Sequence, residues 1–513
     1  MDRITVGTGP LTEAEVVAVA RGGAGVQLAD TAAAAVAASR SIVENLADDV
    51  EPHYGISTGF GALATRHIPV EQRALLQRSL IRSHAAGNGP EVEREVVRAM
   101  MLLRLSTLAT GRTGVRVETA TALAALLDHG LTPIVHEYGS LGCSGDLAPL
   151  SHVALALMGE GPIRTAAGDL VDADDALRGI GVEPLILREK EGLALINGTD
   201  GMLGQLLLAC ADLELLFRTA DITAAMSVEA MLGTDAVFAA DLQQLRPQPG
   251  QAVAAANMRL LLAGSPIVAS HDTPDCVYVQ DAYSMRCAPQ VAGAARDTLA
   301  HARRVAEYEL ASAIDNPVVT LDGRVESNGN FHGAPIGYVL DFLAIPAADV
   351  ASMSERRTDR MLDVARSRGL PPFLASDPGV DSGHMIAQYT QAGLVSELKR
   401  LAVPASVDSI PSSAMQEDHV SMGWSAARKL RRSVDALGRV LAIELLTAAR
   451  ALDLRAPLQP GPGTGAVVAA LRETVDGPGH DRFLAPEIEA AVELVRSGAA
   501  VAAANSALPE PLG

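Results

Sequence analysis

Residues 139–152 read GSLGCSGDLAPLSH, and Cys143, Ser144, Gly145 and Asp146 are the residues there that could do chemistry. Four readings fit them. The plainest is a capped loop. Asp146 accepts from the free N–H groups of the helix that follows, Pro149 fits its first turn, and Gly139, Gly142 and Gly145 shape the approach. In the second, Ser144 is a nucleophile. That needs a base, and the G-x-S-x-G elbow is not met because Gly145 follows the serine directly. In the third, Cys143 is a reactive thiol with its pKa lowered by a helix N-terminus. In the fourth, the backbone cyclises. The amide nitrogen of Gly145 attacks the carbonyl carbon of residue 143, an approach open to glycine because it has no Cβ. Loss of one water closes a five-membered ring. Loss of a second, from Ser144, leaves an electron-poor exocyclic alkene. Asp146 could assist these dehydrations, and a helix N-terminus would stabilise negative charge on the ring carbonyl. The ring uses only backbone atoms of residue 143, so alanine or cysteine serves there. The stretch alone leaves all four open.

Long helices must carry this loop. Apolar spacing predicts helices over roughly 70–84, 92–109 and 115–129, another beginning at PLSHVALALMGEG, and long ones over 293–313, 336–366, 383–402 and 425–452. Thr12 followed by Glu13 and Glu15 opens a short one. Residues 3–7 suit a strand, and VVTLDGRVES (318–327) suits a hairpin about Asp322-Gly323. Residues 50–66 read as loop, INGTDG (196–201) as a tight turn and 241–291 as irregular. RAPLQPGPGTG (455–465) is the clearest linker, and no fixed-period repeat is present. The expected class is mainly α: a bundle of long helices with a few short strands. It divides into a loop-rich active-site region (1–200), a central helix bundle (201–454) and a linker with an Ala-rich helical tail (455–513).

Composition narrows the function. The chain has 513 residues, 48% of them hydrophobic, but seven Phe, seven Tyr and one Trp. Ala, Leu and Val must build the core, which favours close-packed helices. A net charge of −20 without a long basic run argues against nucleic-acid binding. No stretch of ~18 consecutive apolar residues suggests a membrane span, and the N-terminus does not read as a signal peptide. Four cysteines (143, 210, 276, 287) make neither a disulfide framework nor a zinc pattern, so a cytoplasmic setting is expected. Cys210, Cys276 and Cys287 read as packing residues. His271-Asp272 with Cys276 is a loose cluster and weak evidence for a metal, so none is expected.

GSLGCSGDLAPLSH resembles the prosthetic-group signature of the aromatic amino acid ammonia-lyases. That family makes a methylidene-imidazolone (MIO) from Ala-Ser-Gly; here Cys143 replaces the alanine. The resemblance extends, in family order, through YGISTGFG (54–61), SHAAGNG (83–89), INGTDGM (196–202), QDAYSMRCAPQV (280–291), DNPVV (315–319), GNFHG (329–333) and SAMQEDHVSMG (413–423). Ser83-His84 and Gln416-Glu417-Asp418-His419 look like the histidine-specific branch, whereas the phenylalanine and tyrosine enzymes usually carry Phe-Leu or His-Leu at the first pair. The resemblance implies conversion of L-histidine to trans-urocanate and ammonia. It also implies a homotetramer of mostly helical subunits with each active site shared among three, and no dissociable cofactor.

It further implies roles. Cys143, Ser144 and Gly145 would form the MIO, which provides an electrophile that ordinary side chains lack; either the substrate's amine or its ring would meet it. Tyr54 is the first choice for removing the β-proton. A phenol has an ordinary pKa of ~10, so that role needs neighbours that favour the phenolate. Tyr283 would sit near the MIO as a second proton acceptor, and Arg286 would hold the carboxylate with its planar fork. Asn197 and Gln280 would hydrogen-bond the MIO carbonyl and the substrate. Asn316 and Phe331 would line the pocket. His84 and Glu417 would read the imidazole, Glu417 also helping to move protons. Taken singly, each is more often a turn amide, a core aromatic or a structural histidine; their ordered company favours the site. His419 reads as structural. Three alternatives remain: a tyrosine or phenylalanine lyase or aminomutase with the same group, a catalytically silent helical scaffold, and a fumarase-type lyase, whose signature is not seen.

Overall fold

The computed structural model describes residues 3–49, 51–271 and 279–513. Helix accounts for 59% of the chain and strand for 6%, the mainly helical class expected of an Ala-, Leu- and Val-rich core. The helices lie where apolar spacing puts them: Val70–His84, Arg94–Ala109, Val117–Asp128, Leu147–Leu157, Ala288–Leu310, Ala334–Leu362, Met385–Leu401 and Gly423–Asp453. Glu13–Ala20 starts on a capping box: Thr12 Oγ1 accepts from the Glu15 amide at 3.2 Å, and Glu15 Oε2 accepts from the Thr12 amide at 2.8 Å.

Ile4–Val6 pairs in parallel with Val26–Leu28. The hairpin forms as Val318–Val319 against Val325–Glu326, with Gly323 at φ +85° in its turn. One expectation is corrected. Residues 241–291 are not simply irregular, because Pro249–Leu262 is a regular helix. Pro249 sits in its first turn, where a missing N–H costs nothing, so the proline that suggested a break marks a start.

The chain forms two compact units: residues 1–208, 303–341 and 404–428 in one, 209–302, 342–403 and 429–513 in the other. Four of the five unit limits fall inside long helices. Within the second unit the 455–465 stretch is tied down. Arg455 donates to the Ala230, Ser367 and Arg368 carbonyls at 2.8–2.9 Å, and the Gly461 amide donates to Glu229 at 2.6 Å. Two helical stretches, Glu191–Ala230 and Ala334–Leu362, hold apolar windows long enough to cross a membrane by length and composition. Those windows are wholly or mostly buried, as in core helices.

In the first unit Arg94–Ala109 is the central helix, buried from Val96 to its end. It carries two buried arginines. Arg98 donates to the Val19 and Leu127 carbonyls, and Arg104 to the Asn197 and Ile314 carbonyls at 2.6 and 2.9 Å. A buried guanidinium is offset by donating to backbone acceptors, as Arg98 Nε and Nη1 and both Arg104 Nη groups do here. The acceptors of Arg104 belong to the turns that carry Asn197 and Asn316.

Candidate active site

The loop 139–146 lies against three other loops of the first unit. The Gly142 carbonyl accepts from Ser421 Oγ at 2.7 Å and from the Gly333 amide at 3.2 Å. The Asp146 amide donates to the Gly198 carbonyl at 2.7 Å, and the Met422 amide to the Leu141 carbonyl at 2.8 Å. INGTDGM, GNFHG and SAMQEDHVSMG are therefore fastened to the triplet loop by its own backbone. Gly145 has φ +83°, and a Cβ there would stand 2.2 Å from the Gly198 oxygen. That position admits glycine alone, on both conformation and space.

Asp146 does not cap the following helix by its side chain. Its carboxylate accepts instead from Ser140 Oγ and from the Met202 amide, each at 2.9 Å. Burial pushes its pKa up to about 7, and the nearby Asp200 charge adds to the rise. The capped-loop reading is thereby corrected. The carboxyl lies buried under the triplet, with an affinity for protons near neutrality.

Glu417 meets the triplet directly. Its carboxylate accepts from Ser144 Oγ at 3.0 Å, from Cys143 Sγ at 3.2 Å and from Ser412 Oγ at 3.0 Å. Ser413, Ala414 and Met415 all have positive φ in the turn that presents it, costly for residues with a Cβ. The Cys143 thiol is 7% exposed, and burial followed by the Glu417 charge pushes it up to about 12. That is the opposite of the low-pKa nucleophile that the third reading required. The thiol donates to the Glu417 carboxylate.

His84 ends the helix Val70–His84. Its Nδ1 lies 2.9 Å from the Leu80 carbonyl, so Nδ1 carries the proton and Nε2 is left as an acceptor. Burial lowers its pKa, opposed by the nearby Glu417 charge. The Tyr54 phenol oxygen accepts from the Gly61 amide at 3.3 Å. Asn197 is buried, its amide nitrogen 3.3 Å from the Leu193 carbonyl. Asn316 Oδ1 accepts from the Asn328 amide at 3.0 Å. Phe331 is half-buried, two residues before the Gly333 tie.

Gln280, Tyr283 and Arg286 belong to the second unit. Tyr283 is 70% exposed, with the Arg286 guanidinium carbon 4.6 Å from its ring centre. Arg286 Nε is buried without a hydrogen-bond partner. A cavity of about 580 Å³ in that unit is lined by Gln280, Tyr283, Arg360, Arg366 and Arg368 among others.

The chain's similarity to known proteins follows this geometry. The model of the aromatic amino acid lyase family matches residues 11–473. The chain belongs to that family. It is similar to histidine ammonia-lyases of Streptomyces avermitilis (65% identity over 507 residues, 99% of each chain) and Streptomyces griseus (65% over 506 residues, 98% of each). Among solved structures it resembles tyrosine aminomutase from Streptomyces globisporus, with a TM-score of 0.94, 38% identity and full coverage of both chains. It also resembles histidine ammonia-lyase from Trypanosoma cruzi, with a TM-score of 0.90, 38% identity, and 99% and 96% coverage.

Several residues of this neighbourhood carried no sequence assignment. Ser412 shares Glu417 with the triplet, and Ser140 holds Asp146. Lys190 forms a fully buried ion pair with Asp315, the residue before Asn316. Asp315 stood in a quoted block, so position gave a signal there. Arg104 and Lys190 had none, since a lone basic residue in a helical run reads as solvated surface.

The loose metal cluster includes Asp272 and Cys276, which lie outside the described residues. Cys143 and Cys210 are buried, Cys287 is half-buried, and none of the three is in a disulfide.

Proposed function

We propose that this protein converts L-histidine to trans-urocanate and ammonia, using an MIO made from Cys143-Ser144-Gly145. The observation that carries the reading is Glu417 held 3.0 Å from Ser144 Oγ, above a Gly145 position that no side chain can occupy. The residues present fit the group. Gly145 has the bare, left-handed backbone that ring closure needs, Ser144 has the hydroxyl to be lost, and Asp146 is a proton-holding carboxyl buried beside them. Ser83-His84 and the identity to histidine ammonia-lyases favour histidine as substrate.

When formed, the MIO supplies an electrophilic alkene that makes ammonia a leaving group. The chain's own residues do the rest. The Tyr54 phenol oxygen, held by the Gly61 amide, takes the β-proton. His84 pairs with one imidazole nitrogen, Glu417 accepts from the N–H of the other, and together they select that ring. Asn197 hydrogen-bonds the MIO carbonyl and the substrate from a turn that Arg104 fastens. Asn316 and Phe331 line the pocket. In a homotetramer, Gln280, Tyr283 and Arg286 come from neighbouring subunits: Arg286 holds the carboxylate, Gln280 binds substrate and Tyr283 accepts the amine's proton. The exposure of Tyr283 and the unpartnered Arg286 Nε support that arrangement. That Cys143, Cys210 and Cys287 are in no disulfide fits a reducing cytoplasm.

The likeness to tyrosine aminomutase favours a second reading, an aminomutase or lyase acting on tyrosine. A substrate panel separates them. Histidine should produce urocanate's ultraviolet absorbance; reaction of tyrosine or phenylalanine without histidine would overturn the substrate. Intact mass tests the prosthetic group, since the mature chain should lack the mass of two waters. An active protein of encoded mass would remove the MIO from the mechanism.

A further inference from the structure

The two oxygens of Glu417 are held differently. Oε2 accepts from Cys143 Sγ at 3.2 Å and from Ser412 Oγ at 3.0 Å. Among the described residues, Oε1 accepts from Ser144 Oγ alone, at 3.0 Å. These contacts have different fates if the triplet matures. The Ser144 hydroxyl is the oxygen that dehydration removes. Cys143 gives the ring only backbone atoms and keeps its thiol. Burial and the Glu417 charge push that thiol up to about 12, so it remains a donor across the neutral range.

We propose that Cys143 is a positioning residue: with Ser412 it pins Oε2 of Glu417, so that loss of the Ser144 hydroxyl frees Oε1 alone to accept from an imidazole N–H of the substrate. The inference rests on the proposed reading of the triplet and deepens it. It gives a task to the side chain that departs from the family's alanine, and it completes the substrate site only when the triplet has lost its hydroxyl. A carboxylate pinned at one oxygen has less rotational freedom to surrender when the other binds.

The test is equilibrium binding of L-histidine, by calorimetry, to the full-length Ser144→Ala protein. That variant lacks the hydroxyl and cannot form the alkene, so recognition is read apart from catalysis. Adding Cys143→Ala should weaken histidine about 3- to 10-fold, the loss of one hydrogen bond to a charged group made by a weak donor. Cys143→Ser in the same background keeps a donor and should bind within about twofold of the parent. L-phenylalanine, without a ring N–H, should not distinguish them. Cys143→Ala with Ser144 intact should still lose the mass of two waters, showing that the loop has folded. Equal histidine affinity of Cys143→Ala and its parent would overturn the inference. So would a Cys143→Ser as weak as the alanine, or no binding by Ser144→Ala at all while the wild-type protein makes urocanate. A wild-type protein that keeps its encoded mass or makes no urocanate refutes the wider reading instead.

Discussion

Gly145 has the strictest requirement of any residue in the triplet loop. A Cβ would meet the Gly198 oxygen at 2.2 Å, with φ at +83°. Gly145→Ala should therefore lower stability by about 2–4 kcal/mol and abolish loss of the two waters, read by urea unfolding and intact mass. Ser144→Ala should leave stability nearly unchanged while lowering urocanate formation at least ~10³-fold, because the electrophile is gone.

Asp146 gives a pH signature. Burial raises its folded pKa to about 7, well above the ordinary carboxyl range, so the folded state holds its proton more tightly than the unfolded one. The resulting stability is fully present below about pH 4 and lost as pH rises through about 7. It amounts to no more than about 4 kcal/mol. Asp146→Asn should flatten that part of the stability–pH curve, measured as melting temperature between pH 4 and 8. An unchanged slope would mean that another group carries it.

At the scale of elements, the central helix Arg94–Ala109 sets the distance between site turns. Arg104 joins the Asn197 and Ile314 carbonyls and faces Asp200 at 3.5 Å. Arg104→Met keeps the bulk but strands two carbonyls and a buried acid. It should cost about 3–5 kcal/mol in urea unfolding, with Arg104→Lys recovering part. Helix positions were legible because a repeating apolar face is local information. The Pro249–Leu262 helix was missed because proline and glycine signal a break and a helix start alike. The Arg104 and Lys190 contacts were not legible at all, because their partners lie 93, 210 and 125 residues away.

At the scale of the whole molecule, the family resemblance implies that each site is shared between subunits, with Gln280, Tyr283 and Arg286 proposed to come from neighbours. Mixing settles this. Ser144→Ala and Tyr283→Phe proteins, each inactive or nearly so, should regain urocanate formation when unfolded together and reassembled. Separately refolded samples should not, and failure to complement would assign each site to one subunit.

By itself the sequence determined the helical class, the family and the identity of most candidate site residues. Each of those is written in local spacing or in ordered motifs. The tertiary structure decided what those residues touch. It turned Asp146 from a helix cap into a buried proton-holding carboxyl, and it put the Cys143 thiol on Glu417, 274 positions away. Hydrogen bonds act over about 3 Å, and only folding brings residues so distant in sequence within that reach.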